Sequence, residues 1–245
     1  MRSFFFGKEK FNELYQTKRV VVYSPVRGSG VSFISELIVF GLSKIASTCL
    51  VELGSPKFYD SLGFEKKFLA SGYIDFFEKV RAKQNISFEK KNMYKGVSWI
   101  AKKSLDTDIL SSAELFRLFI APKEEYCIFD CSGIDQDTAL DLLAEADYPI
   151  IVLDPLPSKL VLSRSFLEKL KISLPNAILI INQMNEGVYV SELVHFLSTK
   201  SFFSVSSVPQ EYIYKAEYAS VPISTLPELH QNLAKTQDML SKIFQ

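Results

Sequence analysis

Three short turns hold the residues of this 245-residue sequence whose types and spacing suit chemistry. The first is Ser24–Ser32 (SPVRGSGVS), entered from the β-branched run RVVVY and left through a helical pattern. A Gly-Ser-Gly turn between a strand and a helix offers backbone N–H groups and the positive end of the helix to an anion, and phosphate suits such a cradle. Arg27 is the only cation in this turn, and Val26 and Val31 flank it and the glycines. The second turn contains Glu52-Leu53-Gly54, and the third is Asp130-Cys131-Ser132-Gly133, where an apolar run ends in a carboxylate. Asn182, closing AILIIN, and Pro209, in VPQEY, follow apolar runs in the same manner. Strand-end Asn and loop Pro are also common structural residues, so ligand contact and architecture are both open for them.

Other chemistry has less support. His195 and His230 are isolated, without the Cys/His cluster of a metal site. No Gly-x-Ser-x-Gly elbow marks a hydrolase. Asp135, Asp137 and Asp141 are spaced to cap a helix and face solvent. Cys49, Cys127 and Cys131 lie in or beside apolar runs without Cys-x-x-Cys spacing, which is the pattern of reduced, buried thiols. From Glu78 to Lys103 eight basic residues stand against two acidic ones. That excess, Lys79–Lys103, suits DNA, an anionic membrane surface or an acidic partner, or a solvated face balanced elsewhere, since the whole chain has a net charge of +0.

The elements that position these turns follow from periodicity. Residues 1–18 read as an N-terminal arm or helix, with Phe4, Phe5, Phe6, Phe11, Leu14 and Tyr15 available for packing, and 19–245 as a single domain. Strands are expected at Arg19–Tyr23, Thr48–Leu53, Val97–Ala101, Tyr126–Asp130, Pro149–Asp154, Ala177–Asn182 and Phe202–Val205. Helices are expected after Gly30, at Asp60–Phe68, Tyr73–Ala82, Ser111 or Ser112 to Phe119, Asp135–Ala146, Ser158–Leu170, Val190–Leu197 and Pro227–Phe244, with a polar loop near Asn85–Asn92. This alternation predicts an α/β fold, a doubly wound, mostly parallel sheet with helices on both faces, whose sites lie at the carboxyl ends of the strands. A composition 47% hydrophobic suffices for one large core. MRSFFFGKEK is too short in its apolar part for a signal-peptide core, and no apolar run reaches a membrane span of about 18 residues, so the cytoplasm is the expected location.

Five segments, SPVRGSGVSF, CLVELGSP, YCIFDCSGIDQDTALDLLAEADYPIIVLDPLPSKLVLSRSFLEKL, AILIINQMN and VSSVPQEYIYKAEYASVPIS, together resemble in order those of the MinD/ParA family of P-loop ATPases, which includes the CpaE-like proteins of pilus assembly. The resemblance runs from about Arg19 to the C-terminus. It implies a nucleotide site built from Arg27, Gly28, Ser29, Gly30, Val31 and Ser32, with Asn182 and Pro209 toward the adenine base. It places magnesium beside Ser32 and Asp130. The family's two loop lysines fall on Val26 and Val31, and its water-facing carboxylate after the second strand falls on Gly54. Loss of one charged hydrogen bond costs roughly 1.5–3 kcal/mol in binding before any catalytic penalty, and charge stabilisation is the main protein contribution to phosphoryl transfer.

The resulting expectation is a non-hydrolysing pseudo-ATPase without a catalytic residue, a scaffold, positioning or assembly component of a pilus, secretion or envelope system. ATP or ADP with magnesium would bind weakly, if at all. The alternative is a weak or partner-activated ATPase in which Arg27 or a partner supplies the missing charge. A protein partner is expected, and a homodimer stays open although Val26 removes the lysine that bridges the family's dimer. The location follows as cytoplasmic, including the inner face of the membrane. If the site decayed recently, restoring both lost groups, Val31→Lys with Gly54→Asp, is expected to recover some nucleotide affinity, and an unchanged blank would mean that the pocket itself is closed.

Overall fold

The computed structural model describes residues 17–84, 86, 91–106 and 108–244. The chain runs β1 (Lys18–Tyr23), α1 (Val31–Leu42), β2 (Thr48–Glu52), α2 (Phe58–Ser61), α3 (Phe64–Lys67), α4 (Phe76–Arg81), β3 (Met93–Tyr94) and β4 (Val97–Ile100). It continues through α5 (Ser112–Ile120), β5 (Tyr126–Asp130), α6 (Gln136–Ala144), β6 (Tyr148–Leu153), α7 (Pro157–Ser173) and β7 (Ile178–Met184). The last part is α8 (Val190–Leu197), β8 (Phe203–Ser206), α9 (Gln210–Tyr218) and α10 (His230–Ser241), with short 3-10 turns at Ile223–Thr225 and Lys242–Phe244.

The strands form one sheet in the order β3-β4-β2-β5-β1-β6-β7-β8, parallel throughout except for the β3/β4 hairpin. Strands apolar at nearly every position must be covered on both faces. Alternation divides β1 accordingly: Val20 and Val22 enter a core with α1 and α10, whereas Val21 and Tyr23 enter a second core with α4 to α8. The expected doubly wound architecture is therefore present. β1 and β5 lie at its centre, and the loops after β1, β2 and β5 meet at their carboxyl ends.

Local chemistry explains most element boundaries. Ser111 and Glu114 form a reciprocal capping box on α5. Asp135 accepts from Thr138 N at 3.0 Å and caps α6, the role expected of it. Asp75 accepts from Glu78 N, so α4 starts at Phe76 rather than Tyr73. The single helix expected over Asp60–Phe68 is two, α2 and α3, because Gly63 sits between them at φ +60°. Two elements were not expected: the β3 hairpin strand, two residues long, and α9, whose surface is mostly polar. The terminal helix is shorter than Pro227–Phe244 and begins at His230. The arm expected over 1–18 lies outside the described residues except for Thr17 and Lys18, as does much of the Asn85–Asn92 loop. All three cysteines are free and buried. Among the described residues no helix is long and apolar enough to cross a membrane.

Candidate functional site

The Ser24–Ser32 loop leaves β1 and enters α1 at the sheet's carboxyl edge. Its path needs two left-handed residues, Gly28 at φ +73° and Gly30 at φ +91°. Short hydroxyl side chains hold the first half: Ser24 and Ser29 Oγ donate to Val26 O at 3.1 and 2.8 Å. Three side chains from outside fasten the rest. Lys159 Nζ, on α7, donates to Gly28 O at 3.0 Å, and Gln183 Nε2 donates to the same carbonyl at 3.2 Å. Asn182 Nδ2 donates to Ser29 O at 2.9 Å. A Cβ on Gly30 would lie 2.0 Å from that Asn182 nitrogen, so only glycine admits this bond. The N–H groups of Gly30, Val31, Ser32 and Phe33 donate to no acceptor among the described residues, as at any uncapped helix start.

The residues expected to form the site are thus brought together unequally. Gly28, Ser29, Gly30 and Ser32 make the turn. Val31 does not face an anion: it is 6% exposed and belongs to the α1 core. Arg27 is exposed and makes no hydrogen bond or ion pair among the described residues. Asn182, expected toward a base, spends its amide nitrogen on the loop, and its Oδ1 is buried without a partner. Pro209 is exposed and directly precedes α9, so helix entry accounts for it.

The carboxyl side of the site is buried. Glu52 on β2 and Asp130 on β5 are register partners and both are fully buried. Glu52 Oε1 accepts from Lys57 N and Phe58 N at 2.6 and 3.0 Å, and Oε2 accepts from Lys102 N at 2.9 Å. Burial and the neighbouring Asp130 nevertheless push its pKa up to about 8. Burial also raises the Asp130 pKa, although Ser32, Ser132 and Lys57 oppose the shift. Asp130 Oδ1 accepts from Ser132 N at 2.8 Å, while Oδ2 has no partner.

Gly54 has a structural reason that spacing alone does not reveal. Its neighbour Ser55 N donates to Ser132 O at 2.6 Å, and a Cβ on Gly54 would fall 1.9 Å from that same carbonyl. A Cβ on Gly133, at φ +80°, would fall 2.2 Å from Ser55 Oγ. The loops after β2 and β5 are therefore interlocked, and a carboxylate side chain at 54 has no room. A side chain at 54 would have to displace the Ser132 carbonyl, which counts against the gain expected from Gly54→Asp.

A magnesium nucleotide fits these residues only in part. Ser32, whose Oγ donates to Ser132 Oγ at 3.5 Å, and the partnerless Asp130 Oδ2 fit the magnesium side. The phosphate side does not fit, because Val31 is packed in the core and Lys159 is committed to Gly28 O and to Asp154, 2.7 Å away. Among the described residues no group of three or more His, Cys, Asp and Glu is placed to hold a metal ion.

Beside the loop lies a cavity of about 370 Å³ between α1, α2, α9 and the Ile223 turn. Glu36 of α1 and Lys57 of the β2–α2 loop line it together with Phe33, Phe58, Ile213 and Ile223. Glu36 is legible in the sequence only as one acidic residue inside the apolar run FISELIVF. Lys159 and Gln183 carried no sequence signal at all. The basic stretch is partly neutralised within the chain: Arg81 pairs with Asp106 and Asp108, Lys91 with Glu124 and Lys103 with Asp75.

A parallel sheet with a glycine loop between its central strand and the following helix is common to dinucleotide-binding and P-loop NTPase-like α/β folds, and the similar solved structures set this chain's fold among the latter. Within that class the chain has the MinD/ParA-type fold. It is similar to a ParA family ATPase from Chlorobium tepidum at 14% identity and a TM-score of 0.74, over 93% of this chain and 99% of the other. A plasmid partition protein from Borrelia burgdorferi bound to AMPPNP gives 19% identity, a TM-score of 0.68 and coverage of 94% and 98%. MinD in the Aquifex aeolicus MinC:MinD cell division complex gives 15%, 0.69, 93% and 95%. No family profile matches the sequence, and no curated protein is similar to it in sequence.

Proposed function

We propose that the chain is a non-hydrolysing MinD/ParA-type protein, a pseudo-ATPase that positions or scaffolds a protein partner on the cytoplasmic side of an envelope-associated, CpaE-like system. The observation that carries the reading is the buried Val31 at the start of α1, where phosphate charge would be met by a lysine. Removing that cation takes away the electrostatic part of catalysis and leaves a folded, externally fastened loop. The protein-partner role draws support from the MinC:MinD complex among the similar structures. The test is calorimetry and phosphate release with ATP and magnesium. No turnover and no binding at micromolar nucleotide is the expected result, and tight magnesium-dependent binding with turnover would overturn it.

A second reading, a weak or partner-activated ATPase, is favoured by one observation. Lys57 lines the cavity that Gly30 and Ser32 also line, which puts a cation near the loop from outside it. Under this reading Lys57→Gln lowers whatever nucleotide affinity the chain shows, and Arg27→Gln does not.

A further inference from the structure

We propose that the cavity between α1, α2 and α9 is a binding site for a small molecule with an apolar or aromatic body and a protonated amine, anchored by the Glu36 carboxylate. The inference rests on the non-hydrolysing reading, because Gly30, Ser32 and Asn182 of the loop site also line this cavity; tight magnesium-dependent nucleotide binding with turnover overturns that reading, whereas loss of amine binding alone overturns only this one.

The cavity has the size of a small-molecule site, about 370 Å³, and its lining mixes apolar side chains with polar ones that include Ser32, Asn182 and Gln183 of the loop site. Phe33, Phe58, Leu62, Ile213, Val221 and Ile223 give it an apolar lining. Glu36 is 7% exposed, and its hydrogen bond is a long one, accepted from Ser224 N at 3.3 Å. The Ile223 N–H and the Ser224 hydroxyl also act on it, and a carboxylate has room for about four such bonds, so part of its accepting capacity is left for a ligand. An unneutralised carboxyl in an apolar wall is costly, and an ammonium placed against it recovers that cost as a charge-assisted pair.

The charges around the cavity select the same ligand. Glu217 of α9 lines it as well, and Glu52 and Asp130 are buried behind the loop. Lys57, from the β2–α2 loop, is the cation on the wall among the described residues, and it faces both Glu36 and Asp130. On the wall itself Glu36 and Glu217 stand against the one cation Lys57, a balance that favours an amine over a phosphate ester. Burial holds the Glu36 pKa at about 7, with the Ser224 and Ile223 N–H groups and Lys57 opposing the rise. An ammonium of ordinary pKa stays protonated across this range, so its binding strengthens as Glu36 ionises.

The test uses the full chain with tryptamine as probe and its neutral analogue tryptophol as control, by titration calorimetry at pH 6 and pH 8. Tryptamine is expected to bind about tenfold more tightly at pH 8 than at pH 6, as the ionised fraction of Glu36 rises by that factor. Glu36→Gln should weaken binding at least tenfold and remove the pH dependence. Ile213→Trp, at a partly exposed wall position, should abolish binding by filling the cavity and serves if Glu36→Gln does not fold. Absence of tryptamine binding to the parent chain overturns the proposal. Equal binding of tryptophol, or binding unchanged in either folded variant, also overturns it.

Discussion

Raising the pH from 6 to 8.5 should destabilise this protein, and the two buried glutamates set the size of the effect. Glu36 has a pKa of about 7 and Glu52 of about 8 in the folded chain, against 4.5 for a freely solvated glutamate. A carboxyl whose folded pKa is raised binds its proton more tightly in the native state. Its contribution is therefore complete below pH 4.5 and is lost as pH climbs through the folded pKa. At pH 6 Glu36 lies one unit below its folded pKa and Glu52 two units below, which at about 1.4 kcal/mol per unit amounts to roughly 4 kcal/mol between them. Most of that is gone by pH 8.5. For a chain of this size each kcal/mol moves Tm by about 2–4 °C, so a fall on the order of 10 °C is expected. Thermal melts followed by circular dichroism at constant ionic strength measure it. Glu36→Gln, which keeps an acceptor for Ser224 N, should remove about a third of the slope. A Tm that is flat or rises between pH 6 and 8.5 would refute the reasoning, because it would mean that neither carboxyl is protonated inside the fold.

Two substitutions test the loops themselves. Gly54→Asp should lower Tm by at least several degrees and, combined with Val31→Lys, should restore no magnesium-dependent ATP binding in calorimetry, since its Cβ falls on the Ser132 carbonyl. Asn182→Ala should cost about 1–2 kcal/mol in urea unfolding by freeing the Ser29 carbonyl; hydrogen exchange should quicken in the 24–32 loop and leave α5 unchanged.

The fold was legible because its strands are apolar nearly throughout and alternate with helices at regular spacing. Tyr126–Asp130 and Val190–Leu197 fall where periodicity places them. The misses have local causes: Gly63 breaks a helix that the apolar pattern carries through, and α9 is too polar on its surface to signal a helix. At the site, the glycine turn and the carboxylate of Asp130 could be read directly. Gly54 could not, since its meaning resides in Ser132, across the meeting of two loops. Asn182, Gln183 and Lys159 converge on two carbonyls from β7 and α7, and nothing in linear spacing announces contacts over more than a hundred residues.

The fastening of the loop has a mechanical consequence. The sheet separates two apolar cores whose side chains do not mix, with α1 on one side and α7 on the other. Lys159 crosses that partition: its ammonium reaches from α7, held by Asp154, to the backbone three residues before α1 begins. It acts as a tie rod between the two layers.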